Sequence, residues 1–174
     1  MRGARGAVRL GTGFTQKMTD ATDKLAILAQ FRPRAVLRAL TPEAARAVPI
    51  GMLLADMVPI LRYPFLVGRE SRVRVAEGQV QRVERPKSER HAPTNDLYLV
   101  DAGGLTQISR EHFRIEEISG DYRVVDRRSD CGTGVGDLRV GGEEAGGMAP
   151  LRDGDIIAVG TTLTPYRYRF IVPA

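Results

Sequence analysis

Apolar and polar residues alternate over short stretches in the second half of this chain. The alternation is clearest at residues 113–118 and 122–126, which are separated by Ser119, Gly120 and Asp121. A period of two is typical of a strand with one buried face, and a short polar segment with glycine is typical of a hairpin turn. The same pattern predicts nine strands, at residues 63–67, 72–76, 80–84, 97–100, 113–118, 122–126, 138–140, 155–159 and 166–172. Many short strands between Gly, Asp, Asn and Pro turns predict a β-sandwich or a β-barrel.

The N-terminal part of the chain lacks this alternation. Residues 1–18 are rich in Gly, Arg and Thr, a composition typical of a flexible arm. Thr19 or Asp20 can cap a short helix that ends at Gln30 and has an apolar face made of Leu25, Ile27 and Leu28. We therefore predict a flexible or partly helical extension at residues 1–32.

From Pro33 onward the chain is read as one domain, residues 33–174. A short strand is predicted at 35–40, and one helical turn at 41–47, before the run of strands begins. The stretch 71–94 is different because it is basic and its end is rich in polar and turn residues. Glu77 and Gly78 predict a hairpin turn there, and the stretch is interpreted as a basic hairpin insertion. Its arginines are most simply the outer face of that hairpin, with ligand contact as the alternative.

Charge and composition narrow the function classes. The chain has a formal net charge of +5. Residues 1–32 hold six basic and two acidic residues, whereas residues 33–174 hold twenty basic and nineteen acidic ones, so the domain is nearly neutral. No apolar run is long enough to span a bilayer. The single cysteine, Cys131, excludes an intramolecular disulfide and is compatible with a reducing compartment, so we expect a cytoplasmic protein.

Five segments follow one another in an order that resembles the forkhead-associated (FHA) domain family. Gly68 and Arg69 end an apolar strand, and Ser109, Arg110 and His112 lie within one short element further along. The segments that carry the resemblance are 65–69, 95–99, 108–113, 126–135 and 151–157, and the resemblance covers residues 33–172. It implies an all-β, FHA-like β-sandwich of about eleven mostly antiparallel strands (SMAD/FHA type).

The resemblance also implies a phosphothreonine site. Arg69 is expected to be the main phosphate ligand, and Ser109 to donate its hydroxyl with help from Arg110. Charge-assisted hydrogen bonds from a guanidinium are about twice as strong as neutral ones, which suits a phosphate dianion. The turn residues at the family's remaining peptide-binding positions are Asp130 and Cys131. Structural support of the site is expected from Gly68, His112, Gly132 and Thr133.

The chain departs from the family pattern in that turn. Asp130 and Cys131 stand where FHA domains usually have Ser or Thr and then Asn, and Gly136 replaces a second Asn. A carboxylate about 6 Å from a dianion opposes binding by roughly 1 to 4 kcal/mol. Either Asp130 pairs with Arg110, Arg127 or Arg128 and is neutralised, which leaves weak phosphopeptide binding, or the domain contacts its partner independently of phosphate.

The expected function is therefore a phosphothreonine-peptide-binding interaction module in signalling or assembly that depends on a Ser/Thr kinase. The alternatives are a degenerate FHA scaffold and a nucleic-acid-binding β-sandwich, the latter disfavoured by the neutral domain and its few aromatic residues. No enzyme activity, small-molecule substrate, cofactor or metal is expected. Cys131 and His112 lack a third orienting group, so they do not form a convincing nucleophile pair.

Overall fold

The computed structural model describes residues 31–70, 73–76, 79–82, 94–103, 106–143 and 146–173. For residues 73–76 and 79–82 only the backbone is described. The chain divides into two units, Met1–Arg32 and Pro33–Ala174. The predicted arm and the predicted helix near residues 19–30 lie outside the described residues.

Thirteen strands and one short helix make up the described part of the second unit. In chain order they are β1 (Ala35–Ala39), α1 (Pro42–Ala47), β2 (Met57–Ile60), β3 (Phe65–Arg69), β4 (Val73–Ala76), β5 (Gln79–Arg82), β6 (Leu97–Leu99), β7 (Phe113–Ile118), β8 (Asp121–Asp126), β9 (Thr133–Val135), β10 (Leu138–Val140), β11 (Met148–Leu151), β12 (Ile156–Val159) and β13 (Arg167–Ile171).

Eleven of these strands form two sheets. The six-stranded sheet has the order β10-β9-β12-β13-β1-β2, and the five-stranded sheet has the order β11-β8-β7-β3-β6. Neighbouring strands are antiparallel except β3 and β6, which run parallel with Gly68 opposite Tyr98. The expected all-β sandwich of about eleven mostly antiparallel strands is confirmed.

The core lies between the two sheets, into which strands such as β7 and β13 turn alternate residues. Strand β13 buries Tyr168 and Phe170 and exposes Arg167 and Arg169 between and beside them. From the other sheet, β7 buries Phe113 and Ile115. The buried apolar side chains of both sheets form one cluster. Burying each such side chain contributes about 1.5 to 3 kcal/mol, so this cluster holds the sheets face to face.

Helix α1 closes one side of the sandwich. Thr41 caps its N-terminus, with the Thr41 hydroxyl oxygen accepting a hydrogen bond from the Ala44 N–H at 3.0 Å. Pro42 follows at the first helical turn, where its missing N–H costs nothing. The Tyr168 hydroxyl donates to the Ala44 carbonyl at 2.9 Å, which anchors the helix to the core. Burial raises the pKa of Tyr168 well above its usual value, so this hydroxyl stays protonated as a donor.

Strands β2, β9 and β11 are not predicted by the alternation of apolar and polar residues. Strands β2 and β11 each contain a proline, Pro59 and Pro150, and each lies at the edge of its sheet. An edge strand tolerates proline because one row of its backbone groups needs no partner in the sheet. Strand β9 contains Gly134, and its sequence is typical of a turn.

Within the stretch interpreted as an insertion, β4 and β5 pair antiparallel as a separate two-stranded sheet. The turn at residues 77 and 78 and the polar tail at 83–93 lie outside the described residues.

Candidate functional site

Arg69 joins the end of β3 to the loop that precedes β7. Its backbone N–H donates to the Ser109 carbonyl at 2.9 Å, and its Nε donates to the Ile108 carbonyl at 2.9 Å. The guanidinium is thereby held at the loop that carries Ser109 and Arg110. Arg110 is exposed at the same loop. Two arginines and a serine from separate parts of the chain thus meet at one place.

Ser109 in turn contacts the loop between β8 and β9. The Ser109 hydroxyl accepts a hydrogen bond from the Asp130 N–H at 3.0 Å and donates one to Asp130 Oδ2 at 3.0 Å. The serine is therefore paired with both the backbone and the carboxylate of Asp130. A ligand that needs the Ser109 hydroxyl must compete with this carboxylate.

Gly68 allows the close approach of β3 to the 108–110 loop. A Cβ atom at this position would lie 2.1 Å from the Arg110 carbonyl oxygen and 2.6 Å from Asn95 Nδ2. Both neighbours are fixed, because Asn95 Nδ2 donates to that same Arg110 carbonyl at 2.9 Å. Only glycine fits this contact.

Asn95 and Arg127 also support the site, although the sequence alone does not assign them to it. Arg127 Nη1 donates to Asn95 Oδ1 at 2.6 Å, so the amide of Asn95 is oriented from both ends. The Arg127 guanidinium also lies 3.3 Å from a Glu111 carboxylate oxygen. Asn95 precedes a strand within a polar segment, and nothing in that pattern distinguishes it from a surface residue.

His112 is fully buried and links the two loops of the site. Its Nδ1 accepts a hydrogen bond from the Ser109 N–H at 2.9 Å, and its Nε2 lies 3.0 Å from the Gly132 carbonyl oxygen. This pattern requires the neutral ring with its proton on Nε2. Burial lowers the pKa of His112, which favours that neutral form. With both ring nitrogens engaged, His112 is not placed to act as a base for Cys131.

The turn that carries Asp130 is shaped by the buried carboxylate of Asp126. This carboxylate accepts hydrogen bonds from the N–H groups of Arg128 and Gly146, and from the Ser129 hydroxyl. Arg128 has a left-handed backbone conformation, with φ of 62°. Hydrogen bonds to the Asp126 carboxylate thus hold the turn in its conformation.

The remaining turn residues lie around the same loop. Gly132 is buried and has φ of 70°, and its carbonyl also accepts the Gly160 N–H at 2.9 Å. Thr133 begins β9, and its buried hydroxyl has no hydrogen-bond partner among the described residues. Cys131 is half-buried, with Sγ 3.6 Å from the Thr106 carbonyl oxygen. Gly136 is exposed in the turn between β9 and β10.

Asp130 makes no ion pair with Arg110, Arg127 or Arg128 among the described residues, so the neutralising pair considered from the sequence is not formed there. Arg127 contacts Glu111 instead. The described side-chain partner of the Asp130 carboxylate is the neutral Ser109 hydroxyl, so no cationic side chain is paired with it there. The site therefore contains the basic side chains of Arg69 and Arg110 and the acidic side chain of Asp130.

Residues 85–160, which are less than half of the chain, match the sequence model of the FHA domain. The chain is similar to FHA domains over this segment. The matched segment includes Ser109, Arg110, His112, Asp130 and Cys131, whereas Gly68 and Arg69 precede it. No curated protein sequence matches the chain.

Several solved structures resemble the chain at low sequence identity. Mycobacterium tuberculosis EmbR in complex with a low-affinity phosphopeptide is 18% identical with a TM-score of 0.47, over 90% of this chain and 30% of EmbR. The FhaA FHA domain complexed with the intracellular domain of Rv3910 is 18% identical with a TM-score of 0.42, over 80% of this chain and 99% of that domain. The yeast splicing factor Pml1 is 17% identical with a TM-score of 0.48, over 86% of this chain and 87% of that one. This chain thus spans less than a third of EmbR.

Among the described residues, no helix has the length and apolar character needed to cross a bilayer. Within the same residues, no three His, Cys, Asp or Glu side chains come together as a metal site.

We expect Gly68→Ala to destabilise the FHA domain by about 2 kcal/mol or more, because overpacking a fixed contact typically costs about 1 to 3 kcal/mol. Gly134→Ala is the matched control, since its added Cβ would meet Ala158 Cβ at an ordinary 3.4 Å. Urea unfolding followed by circular dichroism measures both variants. Equal stabilities of the two variants would show that the Gly68 contact is not tight.

We expect the stability of the FHA domain to fall as the pH drops below about 6.5, the pKa of an unfolded histidine. The unfolded chain then binds a proton that native His112, with its lowered pKa, does not bind. The contribution is complete above pH 6.5 and is lost toward the native pKa, at no more than about 1.4 kcal/mol per pH unit. Urea unfolding between pH 7.5 and 5 measures it. His91→Gln is the control, and removal of the pH dependence by that substitution would contradict the assignment to His112.

Proposed function

We propose that this FHA domain binds a phosphothreonine segment of a partner protein through Arg69, Ser109 and Arg110. The observation that carries the proposal is the fixed position of the Arg69 guanidinium. Its Nε is bonded to the Ile108 carbonyl, and its two Nη groups have no hydrogen-bond partner among the described residues. A guanidinium held in this way presents its remaining donors without further loss of side-chain entropy.

The neighbouring groups supply the other donors that a phosphate dianion needs. Arg110 is exposed, and its side chain makes no ion pair with a described residue. The Ser109 hydroxyl already forms hydrogen bonds at this position and can turn toward a phosphate oxygen. Donor side chains from the end of β3 and from the 108–110 loop suit the terminal oxygens of a phosphate group.

The peptide on either side of the phosphothreonine needs room beside these donors. A groove of about 720 Å³ begins at Asp130 and Cys131 and continues past Gly142 to Thr161 and Thr162. Its lining combines four glycines with larger side chains, among them Arg139, Glu143 and Met148.

The proposed domain spans residues 33–174 and acts as an interaction module without catalytic turnover. Its setting is phosphorylation-dependent signalling or assembly downstream of a Ser/Thr kinase in the cytoplasm, as the family resemblance implies. The second candidate is a scaffold that binds its partner independently of phosphate. The contact between Asp130 and Ser109 favours that candidate, because a carboxylate already occupies the serine's hydrogen-bonding position.

Arg69→Ala is expected to weaken binding of phosphothreonine peptides by about 10- to 100-fold, because hydrogen bonds to charged groups contribute about 1.5 to 3 kcal/mol. Fluorescence anisotropy with a labelled phosphothreonine peptide library and its unphosphorylated counterpart measures the effect. Arg152→Ala removes an exposed arginine from a distant turn and should change nothing. Equal affinity of the wild-type domain for the two libraries would reject phosphate recognition.

Asp130→Asn is expected to strengthen phosphothreonine binding about tenfold, which corresponds to about 1.4 kcal/mol. The amide keeps a hydrogen bond to Ser109 and removes the negative charge that opposes the dianion. Asp137→Asn makes the same change of charge in the exposed turn before β10 and should leave affinity unchanged. If the Asp130→Asn domain binds no better than wild type, the carboxylate is not beside the bound phosphate. If neither protein prefers the phosphorylated library, the scaffold candidate stands.

A further inference from the structure

The outer face of the six-stranded sheet carries a group of three arginines, which we call the arginine face: Arg38, Arg167 and Arg169. Strand β13 alternates, with Tyr168 and Phe170 buried and Arg167 and Arg169 exposed, and in β1 the buried Leu37 is followed by the exposed Arg38. The face belongs to the middle of the sheet, because β13 and β1 lie between β12 and β2.

The strand register brings the three arginines together. Arg38 and Arg169 are directly opposite one another in the antiparallel pairing of β1 with β13. Opposite residues on one face have Cβ atoms about 5 Å apart. Arg167 lies two residues from Arg169 on the same strand, which places it about 7 Å along the same face. Three positive charges therefore share one small patch.

These charges have no counter-ion in the described part of the chain. None of the three side chains makes an ion pair there, although like charges directly opposite one another destabilise a sheet. The five-stranded sheet is different. On its outer face the carboxylate of Glu116 pairs with both Arg114 and Arg123, at 2.6 Å each. On that face a carboxylate lies between two guanidinium groups, whereas the three arginines of the arginine face have no such partner among the described residues.

Aliphatic side chains lie among the arginines. Ile156 is opposite Arg169, and Met57 is opposite Arg38, and both are half-buried. The face therefore combines guanidinium groups with apolar surface. A partner that matches it must present carboxylates with aliphatic residues between them.

We infer that the arginine face binds an acidic segment of a partner protein, in which aliphatic side chains are interspersed among Asp and Glu. Nucleic acid fits less well. The residues opposite the arginines on β2 and β12 are Met57, Ile156 and Ala158, and none of the three provides an aromatic stacking surface for bases. Residues 33–174 hold twenty basic and nineteen acidic residues. The domain therefore lacks the broad positive field that is typical of nucleic-acid binders. The binding is independent of the phosphothreonine site, because no residue of the arginine face belongs to that site.

The test uses the 174-residue chain and a fluorescein-labelled synthetic peptide that alternates Glu and Leu. A peptide with Gln in place of Glu and a DNA duplex of about 20 base pairs, long enough to span one protein footprint, are the comparison probes. Anisotropy should show binding of the Glu peptide that weakens with salt, and weaker binding of the Gln peptide and the duplex. Backbone NMR shifts on adding the Glu peptide should be largest in β1, β12 and β13.

Arg38→Gln combined with Arg169→Gln should weaken binding of the Glu peptide at least fivefold and leave phosphothreonine-peptide affinity unchanged. Arg46→Gln combined with Arg152→Gln removes the same charge elsewhere and should leave both affinities unchanged. Glutamine keeps most of the aliphatic stem and relieves like-charge repulsion, so the Arg38 and Arg169 double variant should unfold at a slightly higher urea concentration than wild type. This separates lost binding from lost folding.

Three results would overturn the inference. Equal affinity for the Glu and Gln peptides would remove the role of charge, and tighter binding of the duplex would identify nucleic acid as the partner. Loss of Glu-peptide binding in both double variants, or in neither, would show that the arginine face is not the site. Failure of phosphothreonine binding leaves all these readouts intact, so the two proposals are tested separately.

Discussion

The buried imidazole of His112 is the interaction on which the candidate site depends. It accepts the Ser109 N–H on one side and contacts the Gly132 carbonyl on the other, and so joins two loops that are distant in sequence. Removing it would leave the Ser109 N–H without this acceptor, at a cost of about 1 to 3 kcal/mol, whereas the Gly132 carbonyl would keep its hydrogen bond from the Gly160 N–H. The position of Ser109 relative to Asp130 follows from this bridge.

Gly68 and Asn95 hold the loop that carries Ser109 and Arg110 from its other side. Gly68 lies against the Arg110 carbonyl, and Asn95 holds that carbonyl by a hydrogen bond of 2.9 Å. The loop that carries Ser109 and Arg110 is therefore fixed by β3, by Asn95 and by His112. Such a loop can present charged side chains without reorganising, which is the condition for selective recognition of a small anion. The Asp130 carboxylate lies beside the same loop, in contact with the Ser109 hydroxyl.

Sequence patterns predict the sandwich because its central strands have buried and exposed residues in strict alternation, as in β7 and β13. They do not predict β2, β9 and β11, since proline, glycine and edge positions obscure a period of two and pairing partners far away in the chain decide the outcome. The resemblance to a family points to Arg69, Ser109 and His112, whose contacts the structure describes. Asn95 and the Ser109–Asp130 contact depend on residues 15 and 21 positions apart. Local patterns carry no information on such contacts.

Strands β3 and β6 form the single parallel pairing among the described strands. The connection between them is the part of this domain whose length can change. Gly68 lies opposite Tyr98, so the chain leaves the sheet beside Arg69 and returns at Asn95 on the neighbouring strand. The register of that pairing sets where both residues lie, whatever the length of the segment between them. Because the entropy of closing a loop grows only slowly with its length, about 0.6 kcal/mol for each doubling, this connection can lengthen or shorten at little cost. The domain therefore has a place where new segments can be acquired while the loop that carries Ser109 and Arg110 keeps its geometry.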